Sequence, residues 1–165
     1  AGDSVLITGT IISARDAAHK AMTEALAKGE PLPVDWHDQI VYYLGPTPAK
    51  PGDPIGSAGP TTSGRMDAYT PTMLAQGIKG MVGKGSRSPE VVEAMKKHGV
   101  TYFAAVGAAA ALIAKAVKKY EVVGYPELGP EAVAKLTVED FPCIVVIDSE
   151  GNNFYEMGQK PYRRL

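Results

Sequence analysis

Residues 4–12 read SVLITGTII, and residues 13–29 read SARDAAHKAMTEALAKG. The first stretch is rich in β-branched side chains, the composition of a strand from Ser4 to Ile12. In the second, Ala18, Met22, Ala25 and Leu26 recur at helical spacing until Gly29. A strand that runs straight into an amphipathic helix opens an α/β domain, and the rest of the chain continues the alternation.

Gln39–Leu44 (QIVYYL) reads as a second strand. It runs into Gly45–Pro60, where five prolines and four glycines preclude regular structure. A loop of that length inside a compact domain is usually functional. A short helix is predicted near Gly64–Gln76, followed by a glycine-rich stretch from Gly77 to Gly85 and a helix over Pro89–His98 capped by Ser88. Further strands are predicted at Thr101–Val106, Glu121–Tyr125, Cys143–Asp148 and Asn153–Glu156, with helices at Ala108–Lys118 and Pro130–Leu136. Residues 149–152 (SEGN) read as a hairpin turn joining the last two strands. Strand–helix alternation with a terminal hairpin predicts an α/β fold with a mixed sheet. With 165 residues and no internal repeat, it predicts a single domain over residues 1–165.

Composition narrows the function. The chain is 45% hydrophobic and 21% charged, as a globular protein is. Its net charge is −1 and no Lys/Arg run exceeds two residues, so the electrostatic footprint of a nucleic-acid binder is missing. No segment approaches the ~20 apolar residues of a membrane span, and the start AGDS lacks the basic and apolar regions of a secretory leader. The expectation is a cytoplasmic protein that binds neither membrane nor nucleic acid.

The lone cysteine, Cys143, rules out an internal disulfide and cannot by itself hold a zinc ion or an iron-sulfur cluster. Set in FPCIVV, it reads as a buried small hydrophobe. His19, His37 and His98 stand far apart without ligand spacing, and His19 reads as a helix-surface residue, with reach into the Arg15 site as the alternative. No metal site is expected on this chain.

The informative pattern is where the cations fall. A helix N-terminus carries partial positive charge and unpaired N–H groups, so it favours acidic neighbours. Yet Arg15 follows the plausible cap Ser13 and sits beside the first-turn acid Asp16. Arg65 follows the hydroxyl run Thr61-Thr62-Ser63, and Lys84 stands between Gly83 and Gly85 just ahead of the third helix. Any one of them alone reads equally well as a solvated surface residue, because the dipole penalty is only ~0.3–1 kcal/mol. Converging at one edge of a sheet, the three would supply Arg forks, N–H groups and hydroxyls to a small polyanion such as a dicarboxylate or phosphate. The stretch GPTTSGR lacks the spacing of a nucleotide-binding loop. Asp67, two residues past Arg65, reads as that arginine's orienting partner.

Seven stretches taken in order, GTIISARDAAHK (9–20), YLGP (43–46), GPTTSGRM (59–66), KGMVGKG (79–85), GAAA (107–110), VEDFP (138–142) and GNNFY (151–155), resemble the C-terminal part of class I, iron-sulfur-dependent fumarases. The resemblance covers nearly the whole chain. It implies the swivelling β/β/α domain of the iron-sulfur hydro-lyases. It further implies that this is a separate β subunit whose partner, a cluster-bearing α subunit, holds a [4Fe-4S] cluster in a hetero-oligomer. By the same resemblance Arg15, Arg65 and Lys84 bind the substrate carboxylates and Thr61 is the catalytic base in the reversible hydration of fumarate to L-malate.

The chemistry of that division is sensible. A carbanion beside a carboxylate needs fixed cations in a water-poor site, and Lewis-acid chemistry at the hydroxyl group belongs to the cluster. A threonine hydroxyl is a poor base and needs an activating neighbour, which the family places on the cluster-bearing part. L-tartrate dehydratase is the rival within the same family, with mesaconate as a further candidate substrate, while LGPEAV (128–133) and VEDFP lean toward fumarase. A non-catalytic oxyanion-binding module is the rival from another class, and the retention of Thr61 beside both arginines argues against it.

Overall fold

In the computed structural model, which describes residues 1–105 and 110–163, four strands run parallel: β1 (Ser4–Ser13), β2 (Ile40–Tyr42), β3 (Gly80–Gly83) and β4 (Thr101–Ala104). The connections carry α1 (Asp16–Ala27), α2 (Thr70–Leu74) and α3 (Pro89–His98). After α4 (Ala110–Ala116) come two antiparallel strands, β5 (Val117–Gly124) and the long β6 (Val133–Ile147), and then a one-turn helix α5 (Phe154–Met157). The sheet order is β1-β2-β3-β4-β6-β5, and β6 pairs with β1 as well. Its second half hydrogen-bonds to β4 on one side and to the start of β1 on the other, so the pairings from β1 through β4 close into a ring. Its first half carries β5. Where β6 turns from one set of partners to the other, Asp140 takes φ +51° and the register with β1 shifts between Ile7 and Gly9, and the Asp140 N–H donates to Thr8 Oγ1 at 3.0 Å.

Side chains on successive strand positions alternate between two cores, as a two-residue period requires. Ile11, Tyr42, Val82, Leu136, Phe141 and Cys143 fill the ring, where Leu44 and Ile113 join them. Their neighbours Ile12, Val41 and Met81 face the other way, onto Ala18 and Met22 of α1, Met73 and Leu74 of α2, and Val91 and Met95 of α3.

The predicted mixed α/β architecture is present, with several elements drawn differently. The opening strand and helix and the Pro89–His98 helix stand as read, the latter with the Ser88 hydroxyl accepting the Val91 N–H at 3.4 Å. The helix expected at Pro130–Leu136 is instead the end of a 3-10 turn (Pro126–Glu131) and the start of β6. Ala132, Val133 and Leu136 favour burial in either form. Lys135 and Thr137 are exposed between buried neighbours, and strands on both sides supply the pairing that overrides local preference. The expected strand at Asn153–Glu156 shrinks to one bridge, Ile147 to Asn153, because Asn153 Oδ1 accepts the Tyr155 N–H at 3.0 Å and caps α5. The preceding turn is built by Asp148, whose Oδ1 accepts the N–H groups of Glu150 and Asn152 at 3.0 Å.

The glycine-rich stretch holds the wholly buried strand β3, and β5 begins at Val117, where the Ala108–Lys118 helix was expected to continue. The predicted strand end at Val106 and helix start at Ala108 lie outside the described residues, as does most of the 107–110 motif. Among the described residues no helix is long and apolar enough to cross a membrane.

Candidate active site

Because β1, β2 and β3 run parallel, their carboxyl ends at Ser13, Tyr42 and Gly83 lie along one edge, where α/β sheets commonly bind ligands. Arg15 is the residue that caps α1. Its backbone is extended (φ −116°, ψ −162°) and its side chain makes no capping hydrogen bond. Its guanidinium lies over Gly45, just past β2, and a Cβ there would collide with it, which accounts for glycine at that position.

The proline-rich loop returns the chain to the same edge. The Thr61 N–H donates to the Tyr43 carbonyl at 2.8 Å, and Thr62 pairs in parallel with Lys84. The Ser63 N–H donates to the Lys84 carbonyl at 2.9 Å, while the Lys84 N–H donates to the Ser63 hydroxyl at 3.0 Å. Gly83 makes this possible, since a Cβ on it would strike Ser63 and the Tyr43 ring. Arg65 lies in the 3-10 turn Ser63–Met66, with Nη2 2.7 Å from Asp16 Oδ2 at the start of α1. Thus Arg15, Thr61 with Arg65, and Lys84, from three separate stretches of the chain, occupy one edge.

Two carboxylates brace the arginines. Arg15 Nε is 3.5 Å from Glu131 Oε1 and 3.8 Å from Asp16 Oδ1, and among the described residues neither Arg15 Nε nor Asp16 Oδ1 has a hydrogen-bond partner although both atoms are buried. Unfilled hydrogen-bonding capacity at buried arginine and carboxylate atoms is costly, and a ligand oxygen that accepts from Arg15 Nε would recover part of that cost. Arg65 is half-exposed and Lys84 exposed, so the cations open outward. Three cations against Asp16 and Glu131 leave the edge net positive.

The sequence reading passed over Arg87. Its side chain is fully buried, with Nε donating to Asp67 Oδ1 at 2.7 Å, Nη2 to Thr70 Oγ1 at 2.8 Å, and Nη1 to Tyr43 Oη and Met81 Sδ, both at 3.3 Å. The guanidinium carbon lies 5.2 Å from the ring centroids of both Tyr43 and Tyr102. Burial opposes its charge, yet Tyr43, the Asp67 carboxylate and Tyr102 outweigh burial and raise its pKa above the ordinary value. Asp67 is therefore the partner of Arg87 and not of Arg65, and its second oxygen accepts the Ser88 N–H at 2.7 Å. The Tyr102 hydroxyl donates to the Gly85 carbonyl at 2.8 Å and lies 2.9 Å from the Ser63 hydroxyl. The Gly85 N–H donates to Tyr155 Oη at 3.2 Å.

His19 is buried, not on the surface. Its Nδ1 is 2.9 Å from the Arg15 carbonyl, which can only accept, so Nδ1 carries the proton. The ring meets Tyr43 edge-on at 5.5 Å. Burial is the chief cause that lowers its pKa to about 4, helped by the Arg87 cation against the opposing pull of the Arg15 carbonyl and Asp16. Its place three residues before Met22, beside Ala18 on the apolar stripe, was the signal in the sequence. For Arg87 the only signal was a cation immediately before the capping Ser88.

Cys143 lies in the ring, its thiol pushed up to about 12 by burial, so it offers no ready thiolate. Among the described residues no group of three or more His, Cys, Asp or Glu side chains is placed to hold a metal ion.

Residues 1–158 match the protein family described as Fumarase C-terminus. The chain is 44% identical to the aerobic class I fumarate hydratase of Salmonella typhimurium over 155 residues, which is 93% of this chain and 27% of that protein. It is also 44% identical to fumarate hydratase 2 of Leishmania major, covering 93% of this chain and 28% of that one. A Methanocaldococcus jannaschii protein, provisionally assigned as the beta subunit of L(+)-tartrate dehydratase, is 42% identical over 99% of this chain and 88% of its own length. The chain thus spans little more than a quarter of the fumarate hydratases it matches, and nearly all of the subunit.

Proposed function

The chain belongs to the fumarase C-terminus family, and on that premise we propose that it is the β subunit of a two-subunit class I fumarate hydratase, supplying the dicarboxylate-holding half of the active site. The observation that carries the reading is the convergence of Arg15, Thr61, Arg65 and Lys84 at the carboxyl ends of β1–β3, with Asp16 tying Arg65 to the helix that Arg15 caps. Near-full coverage of a relative assigned as a separate subunit supports the two-subunit arrangement. The pairing of β1 with β6 supports reading residues 1–165 as one domain.

In this reading Arg15 and Arg65 grip carboxylate oxygens with their planar forks, and Lys84 adds a point charge. When a proton leaves the carbon next to a carboxylate, negative charge moves onto that carboxylate, and cations already held in place stabilise it without reorganising. Thr61 is the base in the dehydration direction and returns the proton in hydration. Its backbone is held by Tyr43, and a neighbour on the partner activates its hydroxyl.

The [4Fe-4S] cluster does not fit this chain, whose one thiol is buried in the ring. We assign it to the α subunit, in a cytoplasmic hetero-oligomer holding more than one copy of each.

The second reading is L-tartrate dehydratase, favoured by the relative that this chain spans almost completely. The test is anaerobic turnover of fumarate, L-tartrate and mesaconate by this chain co-expressed with a cluster-bearing partner. Fumarate turnover that disappears when the chain is omitted supports the proposal. Preference for tartrate keeps the half-site and changes the substrate, and turnover of none would leave an oxyanion-binding module.

A further inference from the structure

Three of the four residues assigned to substrate, Thr61, Arg65 and Lys84, ride on two segments, 61–65 and 84–85, and one buried cation touches the supports of both. We infer that Arg87 is a positioning residue that sets the placement of Thr61, Arg65 and Lys84 relative to one another; the inference rests on the reading of the site given above.

Each link is short. Tyr43, whose carbonyl accepts the Thr61 N–H, receives a hydrogen bond from Arg87 Nη1 on its hydroxyl and packs its ring against the guanidinium. Asp67, at the end of the turn that bears Arg65, accepts Arg87 Nε on one oxygen and the Ser88 N–H on the other, so a single carboxylate ties the two segments together. Tyr102 packs against the same guanidinium and holds the carbonyl of Gly85, the residue after Lys84.

Arg87 is fully buried, so it acts through these groups and not on the substrate. Apolar side chains in place of both Arg87 and Asp67 would serve stability about as well as the buried ion pair. What only a guanidinium supplies is a rigid plane with three nitrogens, each spoken for: Asp67, Thr70 and Tyr43. A lysine keeps the charge and loses that geometry.

The experiment uses the assembled enzyme with its cluster-bearing partner and compares Arg87→Lys and Arg87→Gln with wild type for kcat and KM on fumarate, L-tartrate and mesaconate, with the melting temperature and cluster content of each preparation. Misplacement of the anion-binding groups is expected to raise KM on the order of tenfold and lower kcat on the order of thirtyfold in both variants at unchanged cluster content. A purely structural role removes active molecules and leaves KM alone, so unchanged KM overturns the inference.

Should both variants fail to assemble, Tyr102→Phe releases the Gly85 carbonyl and leaves the ion pair intact. It is expected to raise KM by roughly threefold, and an unchanged KM there overturns the inference equally. A wild type that turns over none of the three acids removes the reading of the site and this inference with it, whereas an active wild type matched by its Arg87 variants removes the inference alone.

Discussion

The inside of the ring and the layer beneath the strand ends are both closed to water, yet they are built from different chemistry. The ring is filled by Ile11, Val82, Leu136, Phe141 and Cys143, and its tyrosine, Tyr42, donates its hydroxyl to the Ala58 carbonyl. The buried polar side chains among the described residues are Ser13 at the end of β1, His19 at the start of α1, Ser63 beside Thr61, Arg87 just past Lys84, and Thr70, which opens α2 and accepts from Arg87. Burying a cation or an imidazole costs stability that an apolar core does not forgo. Their confinement to one edge locates where the fold gives up stability for geometry, as functional sites do.

That contrast predicts opposite signatures for substitutions in the two regions. The largest effect on stability belongs to the ring. Phe141→Ala removes a fully buried aromatic against Tyr42, 5.2 Å away between ring centroids, and should cost about 3–5 kcal/mol in urea unfolding while leaving KM of the assembled enzyme unchanged. A KM that moves with it would erase the distinction between the two regions.

A smaller and pH-dependent effect belongs to the edge. His19 is held at about 4 in the folded chain against an ordinary 6.5, so the unfolded chain takes up the proton first. The stability that goes with the neutral ring is complete above pH 6.5 and is lost as pH falls toward 4. Between pH 6.5 and 5 wild type should lose up to about 2 kcal/mol relative to His19→Gln, at about 1.36 kcal/mol per pH unit. Parallel unfolding curves for the two proteins across that range would show that His19 is not held neutral.

What was legible in the sequence follows the same division. Local patterns settled the local elements: the helix that ends at Gly29, the Ser88 cap and the turn at 149–152 rest on contacts within a few residues, and the strand at 4–12 was legible from its β-branched run although its partners β2 and β6 are distant. The three cations at segment starts were legible because each breaks the usual preference for acids there. Non-local facts were not. β3 is four residues with glycine at both ends, and only neighbours on either side make it a strand. The first half of β6 carries alanine and leucine that suit a helix, and pairing with β1 and β5 decides otherwise. The choice of Arg87 over Arg65 as the partner of Asp67 depends on which cation turns inward, and the two are separated by a whole helix and strand in the chain.

We propose that the strand-end edge holds a dicarboxylate with fixed cations and moves its proton with Thr61. The most direct measurement compares Thr61→Ala and Arg65→Ala in the assembled enzyme. Thr61→Ala is expected to lower kcat by about 10²–10⁴ with little change in KM, and Arg65→Ala both to lower kcat and to raise KM. Equal and mild effects from the two substitutions would contradict it.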